Sequence, residues 1–151
     1  MNIIQLTENK KQHIDLLLLA DEQESMIDRY LERGDMFVLD DGGVKAVCVV
    51  TDEEDGLCEL KNIAVTPEYQ RQGYGKRLIK YLLTHYIGKY SRMIVGTGDV
   101  PSAVGFYTSC GFKYSHRIEN FFTDNYDHPM IEDGVLLKDM IYLKREICYS
   151  I

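Results

Sequence analysis

Gln70-Arg71-Gln72-Gly73-Tyr74-Gly75 sets two glycines and a fixed positive charge in one short turn. An apolar run, Leu60 to Val65, leads into it, and an amphipathic stretch, Lys76 to Ile87, leads out. A strand, an amide-rich turn and a helix together suit a phosphate, because exposed N–H groups and the positive end of the helix dipole converge on one point. Without a Cβ, Gly73 and Gly75 let the backbone bend sharply and admit a phosphate close to its amides. Gln70 and Arg71 add side-chain donors, and Arg71 and Lys76 add charge. The turn is therefore expected to hold a phosphorylated cofactor.

Charge is distributed in keeping with that expectation. The chain of 151 residues carries a net charge of −7. Residues 66–93 nevertheless hold Arg71, Lys76, Arg77, Lys80, Lys89 and Arg92 against Glu68 alone. The flanking segments are acidic. Nucleic acid demands a broad basic footprint, so it is not an expected partner. An acidic remainder suits a cationic second substrate. No apolar run approaches the ~20 residues needed to span a bilayer, and no basic-then-apolar leader opens the chain, so a cytoplasmic protein with no membrane partner is expected. Cys48, Cys58, Cys110 and Cys148 stand far apart, and the histidines form no ligand spacing. Reduced thiols and no metal are the expectation.

The elements that must position the turn follow from periodicity. Ile3 to Leu6 reads as a strand, Glu8 to Ala20 as a helix capped by Thr7, and Ser25 to Arg33 as a second helix capped by Ser25. Met36–Leu39 and Val44–Val50 flank Asp40-Asp41-Gly42-Gly43 as a hairpin. Past an acidic loop, residues 52–56, Leu57 to Val65 is a long strand. Leu78, Ile79, Leu82, Leu83 and Tyr86 mark the buried stripe of the next helix. Met93–Val95 is a strand, Ser102–Ser109 a helix, and Phe112–Phe122 and Leu136–Leu143 two antiparallel strands around a polar insert. This order predicts a single α/β (α+β) domain over residues 1–151, with a mixed, mostly antiparallel sheet of about seven strands and about four helices. Neither Gly73-Tyr74-Gly75 nor Gly96-Thr97-Gly98 completes a dinucleotide fingerprint, since Leu78 and Pro101 occupy the third glycine position.

Leu60 to Gly75 resembles motif A of the GCN5-related N-acetyltransferase (GNAT) superfamily, (Gln/Arg)-x-x-Gly-x-(Gly/Ala), filled by Gln70, Gly73 and Gly75. Ala103 to Phe112 resembles that family's second signature, A-x-x-x-Y-x-x-x-G-F. The resemblance implies acetyl-coenzyme A as cofactor. Amides around Gln72 to Lys76, with Gln70, Arg71, Gly73, Tyr74 and Gly75, would take its pyrophosphate. The main chain of Ile63, Ala64 and Val65 would take its pantetheine arm, on a strand that splays from its neighbour. It also implies that the N–H of Val65 faces the oxyanion and that Tyr107 protonates the departing thiolate, unless its ring merely packs beneath the sheet. Glu59 is the candidate base through water, or equally a structural acceptor, with Asp52 and Glu119 as substitutes. Many members place Asn where this chain has Val100; Asp99 or Ser102 could compensate.

Phe121, Phe122, Asp124 and Tyr126 of the insert could form an amine pocket through cation–π and carboxylate contacts, or a plain surface loop. The His116-Arg117 pair has no role fixed by its spacing. The expected activity is transfer of an acetyl group from acetyl-CoA to a primary amine, a small cationic one, by direct attack in a ternary complex. The alternative is a non-catalytic acyl-CoA-binding module for sensing or partner recruitment. Dimers are common in the superfamily, so the resemblance also allows a homodimer.

Overall fold

The computed structural model describes residues 1–147; Cys148 lies outside them. Seven strands form one sheet in the order β1-β2-β3-β4-β5-β9-β6. They are β1 (Asn2–Leu6), β2 (Asp35–Asp40), β3 (Val44–Asp52), β4 (Leu57–Val65), β5 (Arg92–Gly98), β6 (Lys113–Ile118) and β9 (Met140–Glu146). Every pairing is antiparallel except β4 with β5. A parallel pair needs a crossover, which helix α3 (Tyr74–His85) supplies. Helix α4 (Pro101–Ser109) follows β5, with Pro101 in its first turn, where a missing N–H costs nothing.

The sheet is covered on both faces. Leu78, Ile79 and Leu82 of α3, with Tyr86 at its C-terminal cap, pack on Phe37, Cys48, Leu60 and Val95. On the opposite face Leu17, Ile27, Tyr30 and Leu31 cover Met36, Val38, Val47 and Val49. A smaller cluster of Val100, Phe122, Met130 and Leu137 fixes the insert to the sheet.

Three expectations are revised. The long first helix is a 3-10 turn, Lys10–His13, followed by α1 (Ile14–Ala20), because Asn9 turns left-handed at φ 51° where Thr7 was expected to cap. The second helix, α2, spans Glu24–Ile27 alone and is preceded by Gln23 rather than capped by Ser25. Beyond it, the buried Lys10 ammonium donates to the carbonyls of Leu31, Glu32 and Gly34 at 3.0, 3.2 and 2.7 Å. These are last-turn carbonyls that a helix ending at Arg33 would itself leave without amide partners, so Lys10 fixes the end of a segment that the structure forms as turns. The insert, finally, has structure of its own: α5 (Phe121–Asn125) and a hairpin of β7 (Ile131–Glu132) with β8 (Val135–Leu136). The strand before it, β6, ends at Ile118 rather than Phe122.

Candidate functional site

Strand β4 carries a bulge. Val49 of β3 faces Asn62 while Val50 faces Leu60, leaving Lys61 of β4 as the extra residue. A bulge bends its strand and raises the local twist. Pairing with β5 stops at the same place: Leu60 with Val95 is the last partnered pair, although β5 runs on beside β9 to Gly98 with Met140. The far half of β5 belongs to β9 and the insert. A Cβ on Gly96 would lie 2.5 Å from the Met140 sulfur, and one on Gly98 2.6 Å from Leu137 Cδ2. These glycines thus make room for apolar side chains, not for a nucleotide.

Parting the two strands frees one edge of β4. Thr66 N–H donates to the Lys45 carbonyl at 2.9 Å, on the β3 side. Main-chain groups alternate along a strand, so the N–H groups of Ile63 and Val65 point toward the side that β5 has left. Val65 C=O accepts from Gln70 Nε2 at 3.1 Å. Gln70 therefore braces the turn against the strand. Gln72 is similarly engaged, with Nε2 donating to Glu68 O at 3.3 Å.

The turn itself holds open space. Arg71 and Gly73 adopt left-handed backbones, φ 62° and 88°, and a Cβ on Gly73 would find nothing within 4 Å. Gly73 is the N-cap of α3 and no side chain caps the helix, so its first-turn amides remain available to an anion. Gly75 has another purpose. Its Cβ would lie 3.0 Å from Phe106 Cζ, so its bareness lets α3 lie against α4. Tyr74 donates to Asp41 at 2.8 Å, tying the helix start to the β2–β3 hairpin. A groove of ≈ 680 Å³ runs along this surface, lined by Ile63, Ala64, Val65, Gln70, Arg71, Gly73, Tyr74, Gly75 and Lys76 on one side and Ser102, Phe106 and Tyr107 on the other. Gln72 is not in that lining.

A second cavity, ≈ 320 Å³, occupies the wedge between Leu60–Ile63 and Val95–Gly98. Phe122 and Tyr126 of the insert wall it, whereas Phe121 and Asp124 do not. Phe121 packs edge-on against Phe122 with ring centroids 5.5 Å apart, and Asp124 is exposed. Asp21, Glu22 and Glu132 bring negative charge to the wall, against Lys61. Asp21 accepts from Tyr30 OH at 3.1 Å and Tyr126 OH at 2.8 Å, and burial holds its carboxyl above the usual range. Asn62 Nδ2 donates to the same Tyr30 hydroxyl at 3.1 Å, so the insert, α1 and β4 share one polar network.

Six residues line both spaces: Leu19, Ala20, Ile63, Ala103, Tyr107 and Glu132. Tyr107 is half-buried, and burial first, then the charge of Glu132, pushes its phenol well above its ordinary value. It therefore stays protonated at neutral pH.

Glu59 lines neither space. Its carboxylate, 6% exposed, pairs with Lys61 Nζ at 3.2 Å and accepts from Tyr142 OH at 3.4 Å. Burial raises its pKa. Glu59 thus sits behind Lys61 rather than at the cavity surface. Asp52 and Glu119 are absent from both linings as well. Asp99 pairs with Arg117 at 3.6 Å, and the Ser102 hydroxyl donates to Asp133, so neither supplies a free group for the missing Asn. Val100 is buried against Phe122 and Leu137. His116 stacks on Tyr142, ring centroids 4.7 Å apart, away from both cavities. Among the described residues, no group of three or more His, Cys, Asp or Glu could hold a metal ion, and no helix is long and apolar enough to cross a membrane.

An uncapped helix N-terminus thus lies beside a parted β-strand, and the groove there opens onto an acidic second cavity. The sequence model of the acetyltransferase (GNAT) domain family matches residues 32–114. The uncharacterized N-acetyltransferase YvbK of Bacillus subtilis (strain 168) is 33% identical over 132 residues, 85% of this chain and 85% of that protein. A GNAT family acetyltransferase from Elizabethkingia anophelis, solved with acetyl-CoA bound, superposes with a TM-score of 0.91 at 33% identity, covering 96% of this chain and 97% of that one. The IAA acetyltransferase from Bacillus cereus ATCC 14579 gives 0.88 at 33% identity, covering 96% and 99%. The chain belongs to the GNAT family of N-acetyltransferases, and its cofactor is acetyl-CoA.

Proposed function

We propose that the enzyme acetylates a primary amine, small and cationic, by direct attack in a ternary complex in the cytosol. One observation carries the reading: the groove at the turn and the acidic cavity meet at Tyr107, where β4 and β5 have separated. Bound acetyl-CoA supplies an acetyl group activated as a thioester. The first-turn amides of α3, with Arg71 and Lys76, fit its diphosphate, and the free edge of Ile63 and Val65 fits its pantetheine amides. The Val65 N–H, facing the opened side, can stabilise the developing oxyanion. The Tyr107 phenol, kept neutral, can protonate the departing sulfur.

Asp21, Glu22 and Glu132 favour a positively charged acceptor, and Tyr126 and Phe122 offer it aromatic surface. Direct attack is supported by the thiols of the described residues. Cys48 and Cys58 are fully buried, burial pushes the latter up to about 12, and Cys110 lies outside both linings.

The test is a panel of polyamines, aminoglycosides, basic amino compounds and peptide N-termini, together with IAA, the acceptor named for the Bacillus cereus relative. Thiol release with a small cationic amine is the expected result. Protein that binds CoA yet releases thiol with none of them would refute amine acetylation and favour the sensing module.

A further inference from the structure

The insert carries a carboxylate that no sequence motif marks. Glu132 lies on β7, paired with Val135 across the hairpin. It lines both the groove and the cavity, as Tyr107 does; the other four shared residues, Leu19, Ala20, Ile63 and Ala103, are apolar. Glu132 and Tyr107 are therefore the titratable pair at the junction among the described residues. The hairpin is fixed to the tyrosine's helix, because the Ser102 hydroxyl in the first turn of α4 donates to the Asp133 carboxylate. Leu137 N–H donates to Met130 O at 2.8 Å and closes the base of the hairpin.

Competing carboxylates are otherwise engaged. Asp21 spends both oxygens on tyrosine hydroxyls, Glu59 is held by Lys61 and Tyr142, and Glu22 lies 3.7 Å from His128. Glu132 is half-buried and no hydrogen bond to a described residue stabilises its charge.

We propose that Glu132 is the catalytic base that takes the proton from the acceptor's ammonium group, an assignment that rests on the amine reading above. Its carboxylate accepts one N–H proton, and the freed nitrogen lone pair forms the N–C bond to the acetyl carbonyl carbon. The C–S bond breaks with its electron pair on sulfur, which takes the Tyr107 hydroxyl proton. Nitrogen's second proton restores Tyr107, and Glu132 releases its own to solvent. Ammonium and thioester become amide, thiol and one proton.

The surroundings tune this group. Asp133 beside it and Glu22 beyond α1 repel its charge; Asp21, Lys61 of β4 and, as neutral phenols, Tyr107 and Tyr126 share the wall of its cavity. Burial, then Asp133 and Glu22, hold its carboxyl above the ordinary glutamate value, nearer the pH at which a base works well.

The test compares wild type with Glu132→Gln and Glu132→Asp, following thiol release with the best amine of the panel from about pH 5 to 9. Melting curves, CoA calorimetry and carboxyl-carbon NMR of glutamate-labelled protein accompany it. Glu132→Gln should lose about 10²- to 10⁴-fold in kcat, with CoA affinity and melting point kept. Its rate should climb with the neutral fraction of the amine, where wild type reaches a plateau. Glu132→Asp should recover part of the rate and the plateau, and the carboxyl signal missing from Glu132→Gln should titrate above the ordinary range. An active wild type whose Gln variant stays within about threefold, with the same pH profile, overturns this assignment alone. A variant that loses its fold or its CoA affinity, with no recovery in Glu132→Asp, overturns it too. A wild type that acetylates no amine overturns the amine reading and this base together.

Discussion

Gly73 and Gly75 fill one motif for two different physical reasons, and alanine separates them. At Gly73, φ is +88° and nothing lies within 4 Å of the added methyl. The left-handed backbone costs alanine about 1–2 kcal/mol. At about 2–4 °C per kcal/mol for a chain of this size, the melting point falls by about 2–8 °C. That methyl also enters the open space at the turn. Losing one charge-assisted hydrogen bond there, worth about 1.5–3 kcal/mol, weakens CoA binding by about 10- to 150-fold. At Gly75 the backbone is helical and the methyl would meet Phe106 Cζ at 3.0 Å. Overpacking costs about 1–3 kcal/mol, and the better helix former returns about 1 kcal/mol. The net destabilisation of about 0–2 kcal/mol resembles that of Gly73→Ala, but CoA affinity should hold within about threefold. Calorimetric titration with CoA, paired with melting curves of the free protein, reads both quantities. Gly73→Asp adds a carboxylate to the same space and should abolish binding. Wild-type affinity in Gly73→Ala, or equal affinity losses at both positions, would refute the division of roles.

Two further outcomes follow from the same geometry. Tyr107→Phe keeps the ring contacts with Phe106 and Phe112, at 5.1 and 5.8 Å between centroids, and removes the phenol proton. Thiol release should fall about 10²- to 10⁴-fold with CoA affinity intact; unchanged turnover removes Tyr107 from the mechanism. Glu59 has a folded pKa raised by burial, so the stability it contributes is full below its unfolded value and is lost as pH rises through the folded one. Relative to wild type, Glu59→Gln should therefore gain melting temperature as pH climbs from about 4 to 7, the Lys61 ion pair, present only when Glu59 is ionised, offsetting part of that gain. A difference that does not change with pH contradicts burial as the dominant influence on Glu59.

Local pattern made the scaffold readable. The stripe Leu78, Ile79, Leu82 and Tyr86 needs only helical spacing to be recognised, and all four residues are buried under the sheet. The hairpin around Asp40-Asp41-Gly42-Gly43 needs only turn chemistry. In the α2 region spacing marked the apolar residues but not the local backbone: residues 28–33 form turns, and Lys10, more than twenty residues away, satisfies the carbonyls at their end. The insert failed because α5 and the β7–β8 hairpin are too short to show a period, and the packing of Val100, Phe122, Met130 and Leu137 and hydrogen bonds to distant residues such as Asp21 hold them in place.

At the site the same division holds. Sequence by itself determined the family and located the glycine turn between β4 and α3, because contiguous residues carry strand, turn and helix together. It gave Gln70 a ligand's role and Glu59 a base's, and had no signal for Glu132. Those assignments depend on where side chains end once the chain has closed. Gln70 reaches back to Val65, Glu59 points behind Lys61, and Glu132 arrives at Tyr107 from a hairpin twenty-five residues further along. Only the tertiary structure decides such meetings, since burial and proximity are properties of the packed whole.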